Sequence, residues 1–334
     1  MKFIRNILLP LVPVYFLVTW VRNKLYDLGI KKSISFDFPV ICVGNLSVGG
    51  TGKSPMIEYL INLLKDDFKL ATLSRGYKRK TKGFHLADIN STSETLGDEP
   101  LQFYNKFGSN VIVAVDSNRA NGINKLRNLD IIPEVILLDD AFQHRKVKPG
   151  FNILLTTYSN PYFNDMVLPT GNLREPINGV KRANIVVVTK SPKNLNQAQK
   201  DAIIEKIYSE ANQHIFFSSI EYSNEIISIN STKNITTLPS FTLVTGIANS
   251  NPLVDFLKEK ELKFEHLNFK DHHDFSDKDI EILNRKELIV TTEKDFMRLQ
   301  QYASLRETLF YLPIFIKIDN TSLFNSLVKA YIKR

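Results

Sequence analysis

The sequence predicts an α/β protein in which a mostly parallel sheet is covered by helices on both faces. Short apolar runs alternate with amphipathic helical segments, and the apolar runs are continuous rather than alternating with polar residues. Continuous apolar strands between helices are typical of parallel sheets buried on both faces. A shorter set of the same kind ends the chain, so we also expect a smaller carboxy-terminal α/β domain. A hydrophobic segment precedes both.

The elements follow in order along the chain. Strands of the larger domain are predicted at 40–43, 70–73, 111–115, 135–138, 152–156 and 185–189, with helices at 56–65, 100–106, 119–126 and 198–209. Around 216–229 one strand follows another, and turn-forming residues follow at 230–234. The second set has strands at 242–245, 264–269, 288–291 and 309–316, then a helix at 322–331. The predicted units are a hydrophobic helix (1–30), the larger domain (31–222), a two-stranded hinge (223–238) and the smaller domain (239–334).

Composition limits the classes of protein that fit. The chain has 334 residues, 43% of them hydrophobic, so it can bury a large core. Its single cysteine, Cys42, lies in an apolar strand, which excludes an intrachain disulfide and fits a reducing compartment. The formal charge of +8 favours an anionic partner, whether nucleic acid, acidic lipid or a phosphate compound.

The amino-terminal segment is uncharged from residue 7 to residue 21 and is flanked by basic residues. It is short for a membrane span, which takes roughly 20 apolar residues. A secretory signal and a buried core helix are the alternatives, although no small-residue cleavage site follows the run. Trp20 near its end and the basic flanks favour a helix embedded in a membrane surface. We expect that helix to begin near Pro10 or Pro13.

The segment 44–55 is the most informative. A strand-like run leads into a glycine-rich loop, and a helix-like run follows. Clustered glycines allow backbone N–H groups to converge on phosphate oxygens, a lysine neutralises phosphate charge, and a hydroxyl can hold Mg²⁺. The usual pattern starts with glycine, where this chain has Ser47. The segment predicts a P-loop NTPase-type sheet whose nucleotide site consists of Ser47, Val48, Gly49, Gly50, Thr51, Gly52, Lys53 and Ser54.

Paired acids stand at two places. Asp139 and Asp140 end an apolar strand, where an acid beside the phosphate loop supports Mg²⁺; helix capping is the alternative. Asp98 and Glu99 precede a predicted helix. There Asp98 is either an N-cap or one of two acids that orient a hydroxyl and hold a metal.

Basic and histidine-rich segments add further candidates. Four basic residues lie at 78–82 beyond a strand end, where either a solvated face or an anionic acceptor site fits. Arg119 also follows a strand end, and Arg174 and Glu175 form either an ion pair or part of the acceptor site. The Asp-His-His-Asp segment at 271–274 offers a metal site, a phosphoesterase motif or a histidine that assists a catalytic acid. Adjacent histidines on an extended backbone point to opposite faces, which disfavours a shared metal.

Together these motifs resemble those of the tetraacyldisaccharide 4′-kinases, the lipid A kinases of Gram-negative bacteria. The matching segments run nearly end to end, at 44–55, 74–77, 97–100, 139–144, 173–176, 246–249, 271–272 and 292–295. Ser47 is typical of that family. Ser54 and Ala141 depart from it, since Thr and Gly are frequent there, but Ser54 keeps the hydroxyl that Mg²⁺ needs.

The resemblance implies that ATP, with Mg²⁺, phosphorylates the 4′-hydroxyl of an acylated glucosamine disaccharide 1-phosphate, which gives lipid IVA. It implies a protein on the cytoplasmic face of the bacterial inner membrane, held peripherally or monotopically, with no nucleic-acid partner. We expect a monomer.

The resemblance also implies roles for individual residues. Asp98 would be the general base with His272 as its partner, while Lys53 and Arg119 would stabilise charge on the transferring phosphoryl group. The implied metal residues are Ser54, Glu99 and Asp139. The residues indicated near the acceptor are Asn45, Arg75, Tyr77, Gln143, His144 and Arg174.

Two other classes stay open from the residues alone. A P-loop GTPase acting as a switch or assembly factor would use [NT]-K-x-D to recognise guanine, whereas the segment at 189–192, Thr-Lys-Ser-Pro, stops short of the aspartate. A basic membrane-associated protein that binds ATP only structurally is the other alternative.

Overall fold

A computed structural model describes residues 5, 7–207, 213–271 and 273–333 of the chain. These residues form a nine-stranded sheet and a six-stranded sheet. The strands of the larger sheet are β1 (Val40–Asn45), β2 (Leu70–Ser74), β3 (His85–Leu86), β4 (Val111–Val115), β5 (Val135–Asp139), β6 (Phe151–Thr157), β7 (Ile185–Thr189), β8 (His214–Tyr222) and β15 (Ile314–Ile318). Those of the smaller sheet are β9 (Glu225–Ile227), β10 (Thr232–Asn234), β11 (Phe241–Thr245), β12 (Phe264–Asn268), β13 (Ile289–Thr292) and β14 (Leu309–Leu312).

The described α-helices connect and cover these strands. They are α1 (Val12–Asp27), α2 (Lys53–Leu64), α3 (Ser93–Leu96), α4 (Asp98–Phe107), α5 (Arg119–Arg127), α6 (Gln197–Ile204), α7 (Asn251–Glu259), α8 (Asp277–Leu283), α9 (Glu293–Leu299) and α10 (Thr321–Ile332). Short 3₁₀ helices occur at Leu9–Leu11, Gly108–Asn110, Tyr162–Asn164, Ile177–Arg182, Ile235–Thr237 and Ala303–Leu305. The end of the helix predicted at 198–209 falls partly outside the described residues.

The larger sheet has the order β15-β8-β7-β6-β1-β5-β2-β4-β3, and its central strands are parallel. Strand β1 lies in the middle, and alternate residues of it enter two separate hydrophobic clusters, Cys42 on one face and Ile41 on the other. Burial raises the pKa of the Cys42 thiol to about 12, as expected of a core residue. The predicted fold class, a mostly parallel sheet covered on both faces with a smaller α/β unit, is therefore confirmed.

The last part of the chain is divided between the two sheets, which differs from the predicted unit 239–334. Strand β15 pairs antiparallel with β8 of the larger sheet, and α10 packs Phe324 and Val328 into the larger core. The predicted strand at 309–316 breaks at Pro313, which has no N–H to donate to a ladder. The backbone N–H of Ser223 donates to the carbonyl of Pro313 at 2.9 Å, so the two crossings between the sheets lie side by side.

The segment predicted as a two-stranded hinge, 223–238, has two strands in the structure, and both belong to the smaller sheet. Strands β9 and β10 form an antiparallel hairpin, and β9 pairs with β14 at Ile227 and Tyr311. This hairpin is the edge of the smaller sheet. The passage between the sheets is confined to the few residues around Ser223 and Pro313.

Helix α1 begins at Val12, directly after the 3₁₀ turn that contains Pro10, and Pro13 lies in its first turn. Large apolar side chains on one side of it are exposed, among them Val14, Leu17 and Val18. None of the helices in the described ranges has both the length and the apolar character needed to cross a bilayer.

Candidate active site

The glycine-rich loop joins the central strand β1 to helix α2. Gly52 is the N-cap of α2 with φ +88°, a conformation that an L-residue rarely adopts, and the helix begins at Lys53. The loop is braced from β7, where Thr189 Oγ1 donates to the carbonyl of Thr51 at 2.8 Å and Lys190 Nζ to that of Gly50 at 2.7 Å. The helix therefore presents its positive end at the carboxyl edge of the sheet, which is a ready anion site.

Lys53 faces the acidic end of β5. Its Nζ lies 3.8 Å from Oδ1 of Asp140, and the same oxygen accepts a 2.8 Å hydrogen bond from Arg174 Nη1. Burial favours the protonated form of Asp140, but the charges of Lys53 and Arg174 outweigh it and lower the pKa of this carboxyl. Asp140 is thus an anion held between two cations. Arg174 pairs with Asp140 and not with its neighbour Glu175.

Asp139 lies one residue earlier, at the buried end of β5. Its Oδ2 accepts a hydrogen bond from Ser74 Oγ at 3.2 Å, whereas its Oδ1 is buried without a partner in the described part of the chain. Burial, followed by the charges of Glu99 and Asp140, raises the pKa of Asp139 to about 7. A cation at this place would satisfy the unpaired oxygen and offset the crowded negative charge.

The donor set fits Mg²⁺ bound mainly by phosphate. The described ranges contain no group of three or more His, Cys, Asp or Glu side chains that could hold a metal by themselves. Mg²⁺ in nucleotide sites is usually held by one or two protein oxygens, the substrate phosphates and water. Ser54 in the first turn of α2, Asp139 and Glu99 can supply such oxygens.

Arg119 is buried at the start of α5. It donates through Nη1 to the carbonyl of Asp116 at 2.8 Å and through Nη2 to that of Asp139 at 3.2 Å. Its Nε has no partner among the described residues, and burial lowers the pKa of the guanidinium despite the nearby acids. Arg119 therefore ties the ends of β4 and β5 together and leaves its Nε–H for a further acceptor.

Gln143 and His144 lie on the loop after β5. Gln143 Nε2 donates to the carbonyl of Asn45 at 2.8 Å and to Glu175 Oε1 at 2.9 Å. The side-chain amide of Asn45 is fully buried with no partner in the described residues. Burial and then the charge of Arg119 lower the pKa of His144 to about 4, so its imidazole is neutral at pH 7.

The second pair of acids stands at the start of α4, beside the loop that follows β2. A small cavity of about 20 Å³ is lined by Tyr77, Lys78, Asp98, Glu99, Pro100 and Lys294. Gly97 has φ +93°, and a Cβ there would lie 3.0 Å from the carbonyl oxygen of Tyr77. The glycine thus allows the two loops to approach, and Arg75 and Tyr77 are exposed at this edge. Asp98 is the first residue of α4, and the N-cap is Gly97.

The predicted partner of Asp98, His272, lies outside the described residues. Its neighbour His273 contacts Asp279 through Nε2 at 3.0 Å and stacks on Phe269. The carboxylate of Asp98 is contacted by Arg298, whose Nε and Nη2 donate to Oδ2 at 3.0 and 2.5 Å. Sequence reasoning missed Arg298, although it follows the matching segment 292–295 by three residues.

The fold and these residues define a P-loop phosphotransferase, with a phosphate site at the tip of β1 and a pair of acids beside it. The chain belongs to the tetraacyldisaccharide-1-P 4′-kinase family (LpxK), whose sequence model matches residues 4–333. It is 53% identical to a tetraacyldisaccharide 4′-kinase of Flavobacterium johnsoniae over 94% of this chain and 93% of that one. Identity to the enzyme so named in Bacteroides thetaiotaomicron is 44%, over 98% and 93% of the chains.

A solved structure supports the same family membership. The crystal structure of LpxK from Aquifex aeolicus in complex with ATP matches with a TM-score of 0.79 and 31% identity, covering 98% of this chain and 99% of that one. The family resemblance is confirmed, and membership decides against the GTPase and the non-enzymatic alternatives.

Proposed function

We propose that this chain transfers the γ-phosphate of ATP to the 4′-hydroxyl of a tetraacyl glucosamine disaccharide 1-phosphate, giving lipid IVA in lipid A biosynthesis. The observation that carries the proposal is the match to the 4′-kinase family over residues 4–333, in a chain whose phosphate loop and acid pair share one edge of the sheet. Phosphoryl transfer needs mainly positioning and charge neutralisation, which these groups supply.

On the donor side, the backbone N–H groups of 47–52 and the start of α2 bind the phosphates of ATP. Lys53 neutralises the transferring group, and Asp140 holds Lys53 in place. Arg119 stabilises the same developing charge through its Nε–H, which has no partner among the described residues. Mg²⁺, held by Ser54, Asp139 and Glu99 together with the phosphates, supplies further charge neutralisation when bound.

On the acceptor side, Asp98 takes the proton of the 4′-hydroxyl as the sugar oxygen forms its bond to phosphorus and the bond from phosphorus to ADP breaks. A carboxylate base must lie within hydrogen-bond reach of that hydroxyl. The position of Asp98 in the cavity shared with Tyr77 supports this role. His272 assists the base. Arg75, Tyr77 and Arg174 contact the anionic lipid headgroup, with Asn45, Gln143 and His144 near the same centre.

Helix α1 holds the enzyme at the membrane surface, where the lipid acceptor resides. The exposed apolar side chains of α1 support this placement, as does Trp20 near its middle. Each basic residue near an anionic surface adds about 1 kcal/mol of attraction. We place the protein as a monomer on the cytoplasmic face of the inner membrane.

The experiment is a transfer assay in detergent micelles with ATP, GTP or no nucleotide. The acceptors are the tetraacyl disaccharide 1-phosphate and water alone. ATP consumption should depend on the lipid and should yield a bisphosphorylated product. Equal consumption without the lipid, or a preference for GTP, would contradict the proposal.

A further inference from the structure

Helix α4, which begins with Asp98, contacts helix α9 beside the smaller sheet. Arg298 in the last turn of α9 reaches across to Asp98 at the start of α4, and the two residues are 200 positions apart. Lys294 Nζ lies 4.0 Å from Glu99 Oε1, and Asn105 Nδ2 donates to Met297 Sδ at 3.4 Å. The contact between α4 and α9 therefore includes both acids of the pair, Asp98 and Glu99.

Arg298 also forms an ion pair with an acid of its own helix. Its Nη1 lies 3.7 Å from Asp295 Oδ1, and its side chain is only 11% exposed. Asp295 is fully buried, and its Oδ2 accepts hydrogen bonds from the backbone N–H of Gly246 at 2.8 Å and from Thr292 Oγ1 at 2.7 Å. The guanidinium therefore lies beside a buried carboxylate that is itself hydrogen-bonded at the ends of β11 and β13.

Both hydrogen bonds from Arg298 end on one oxygen of Asp98, Oδ2. Two donors thus orient the carboxylate through Oδ2, and a hydroxyl in the cavity that Asp98 lines together with Tyr77 would meet the other oxygen, Oδ1. Charge-assisted hydrogen bonds of this kind are about twice as strong as neutral ones and define orientation. Because a base misplaced by about 1 Å can cost on the order of 100-fold in rate, the orientation has a kinetic consequence.

We propose that Arg298 is a positioning residue that orients the carboxylate of Asp98 for proton abstraction, so that the smaller domain contributes to the catalytic step. The proposal rests on the proposed function, in which Asp98 is the base. The contact between α4 and α9 that supports the proposal is observed independently of that function.

The test measures kcat and the KM for ATP in the full-length protein with Mg²⁺ and the lipid acceptor. The variants are Arg298→Ala, Arg298→Lys, Asp98→Asn and the double variant Asp98→Asn with Arg298→Ala. Asn105→Ala is the matched control, because it removes another contact between the same two helices without touching Asp98. Thermal unfolding establishes that each variant is folded, and Arg298→Gln replaces Arg298→Ala where the latter is not.

We expect Arg298→Ala to lower kcat by about 10- to 100-fold while the KM for ATP changes less than twofold. Arg298→Lys should recover most of the loss, since an ammonium can still donate to Oδ2. The double variant should be no slower than Asp98→Asn alone, and Asn105→Ala should keep kcat within about twofold.

Three results would overturn the inference. These are a kcat within threefold of wild type for Arg298→Ala, a multiplicative loss in the double variant, or an equal loss in Asn105→Ala. If the wild-type protein transfers phosphate and Asp98→Asn does so at least about 100-fold more slowly, such a result concerns Arg298 alone. A wild-type protein that does not transfer phosphate contradicts the proposed function instead.

Discussion

Asn23 of helix α1 donates a hydrogen bond of 2.6 Å to Oε2 of Glu175, a residue that is almost fully buried. Glu175 also accepts from Gln143 and pairs with Arg182 at 2.7 Å. Gln143 in turn donates to the carbonyl of Asn45 at the start of the phosphate loop. The amino-terminal helix is therefore connected by hydrogen bonds to the nucleotide site.

Loss of the Asn23 side chain should destabilise the protein. Asn23→Ala leaves Oε2 of Glu175 buried and unpaired, which costs about 1–3 kcal/mol in the free energy of unfolding. Chemical denaturation of the purified protein in detergent measures this difference. Asn90→Ala, in an exposed loop, is the control and should change stability by less than about 0.5 kcal/mol. Equal stability of the two variants would mean that the hydrogen bond carries no net energy.

The exposed face of α1 should determine binding to lipid. Leu17 and Val18 are 57% and 63% exposed, and a glutamate at either position places a charge in the interface. We expect Leu17→Glu with Val18→Glu to lower the partition coefficient onto anionic vesicles, measured by sedimentation, by at least about 100-fold, because roughly 1.5–3 kcal/mol of burial is lost for each side chain. Ile131→Glu is the control, since Ile131 is 62% exposed in a loop far from α1 in the sequence. Unchanged sedimentation of the double variant would show that the exposed face of α1 does not bind lipid.

The triad of Glu58, Lys106 and Glu293 should give the stability a pH dependence. Lys106 Nζ lies 2.6 Å from Glu58 Oε2 and 3.0 Å from Glu293 Oε1. Burial, and then the charge of Glu58, raises the pKa of Glu293 to about 7 from its ordinary value of 4.5. The folded state therefore retains a proton between about pH 4.5 and pH 7 that the unfolded state releases, so this group makes stability fall as pH rises through that window.

Glu293→Gln should remove that contribution. Between pH 5 and pH 7.5 the free energy of unfolding of the variant should fall less than that of the wild type, by up to about 3 kcal/mol. Denaturation midpoints across this pH range measure it. Glu265→Gln is the control, because Glu265 forms an exposed pair with Lys286. A slope identical to that of the wild type would show that Glu293 is ionised throughout.

Lys53 should be needed for phosphate transfer. Lys53→Met removes the cation that faces Asp140, and we expect kcat/KM for ATP to fall by about 10²- to 10³-fold, the range typical of a lost charge-stabilising donor. Lys65→Met lies at the other end of the same helix, is paired only with its neighbour Asp66 among the described contacts, and should keep wild-type activity. Equal rates in the two variants would show that Lys53 does not contribute to phosphate transfer.

Much of the fold could be predicted because its signals are local. Continuous apolar runs marked β1, β5 and β7, and the spacing of glycine, lysine and serine marked the phosphate loop. The break at Pro313 was missed, because β14 and β15 form one apolar run and nothing nearby shows that they join different sheets. The strands β9 and β10 are recognisable locally, but their place in the smaller sheet depends on the pairing of β9 with β14, which is distant in the sequence.

The site was predictable only where its residues lie within one motif. Asp139 and Asp140 follow a recognisable strand, but the pairing of Asp140 with Arg174 depends on a loop 34 residues away. The contact between Arg298 and Asp98 joins the two sheets, and no periodicity or spacing marks it. Such contacts are set by tertiary packing.

The proposed reaction transfers phosphate to one particular hydroxyl. Its most direct test is ³¹P NMR of the lipid product made by the full-length protein with ATP, Mg²⁺ and the tetraacyl disaccharide 1-phosphate, beside the Asp98→Asn variant. We predict one new phosphate monoester, coupled to the proton at C4 of the distal sugar, at a rate at least about 100-fold lower in the variant. A product phosphorylated elsewhere, or an equal rate with Asp98→Asn, would contradict the account.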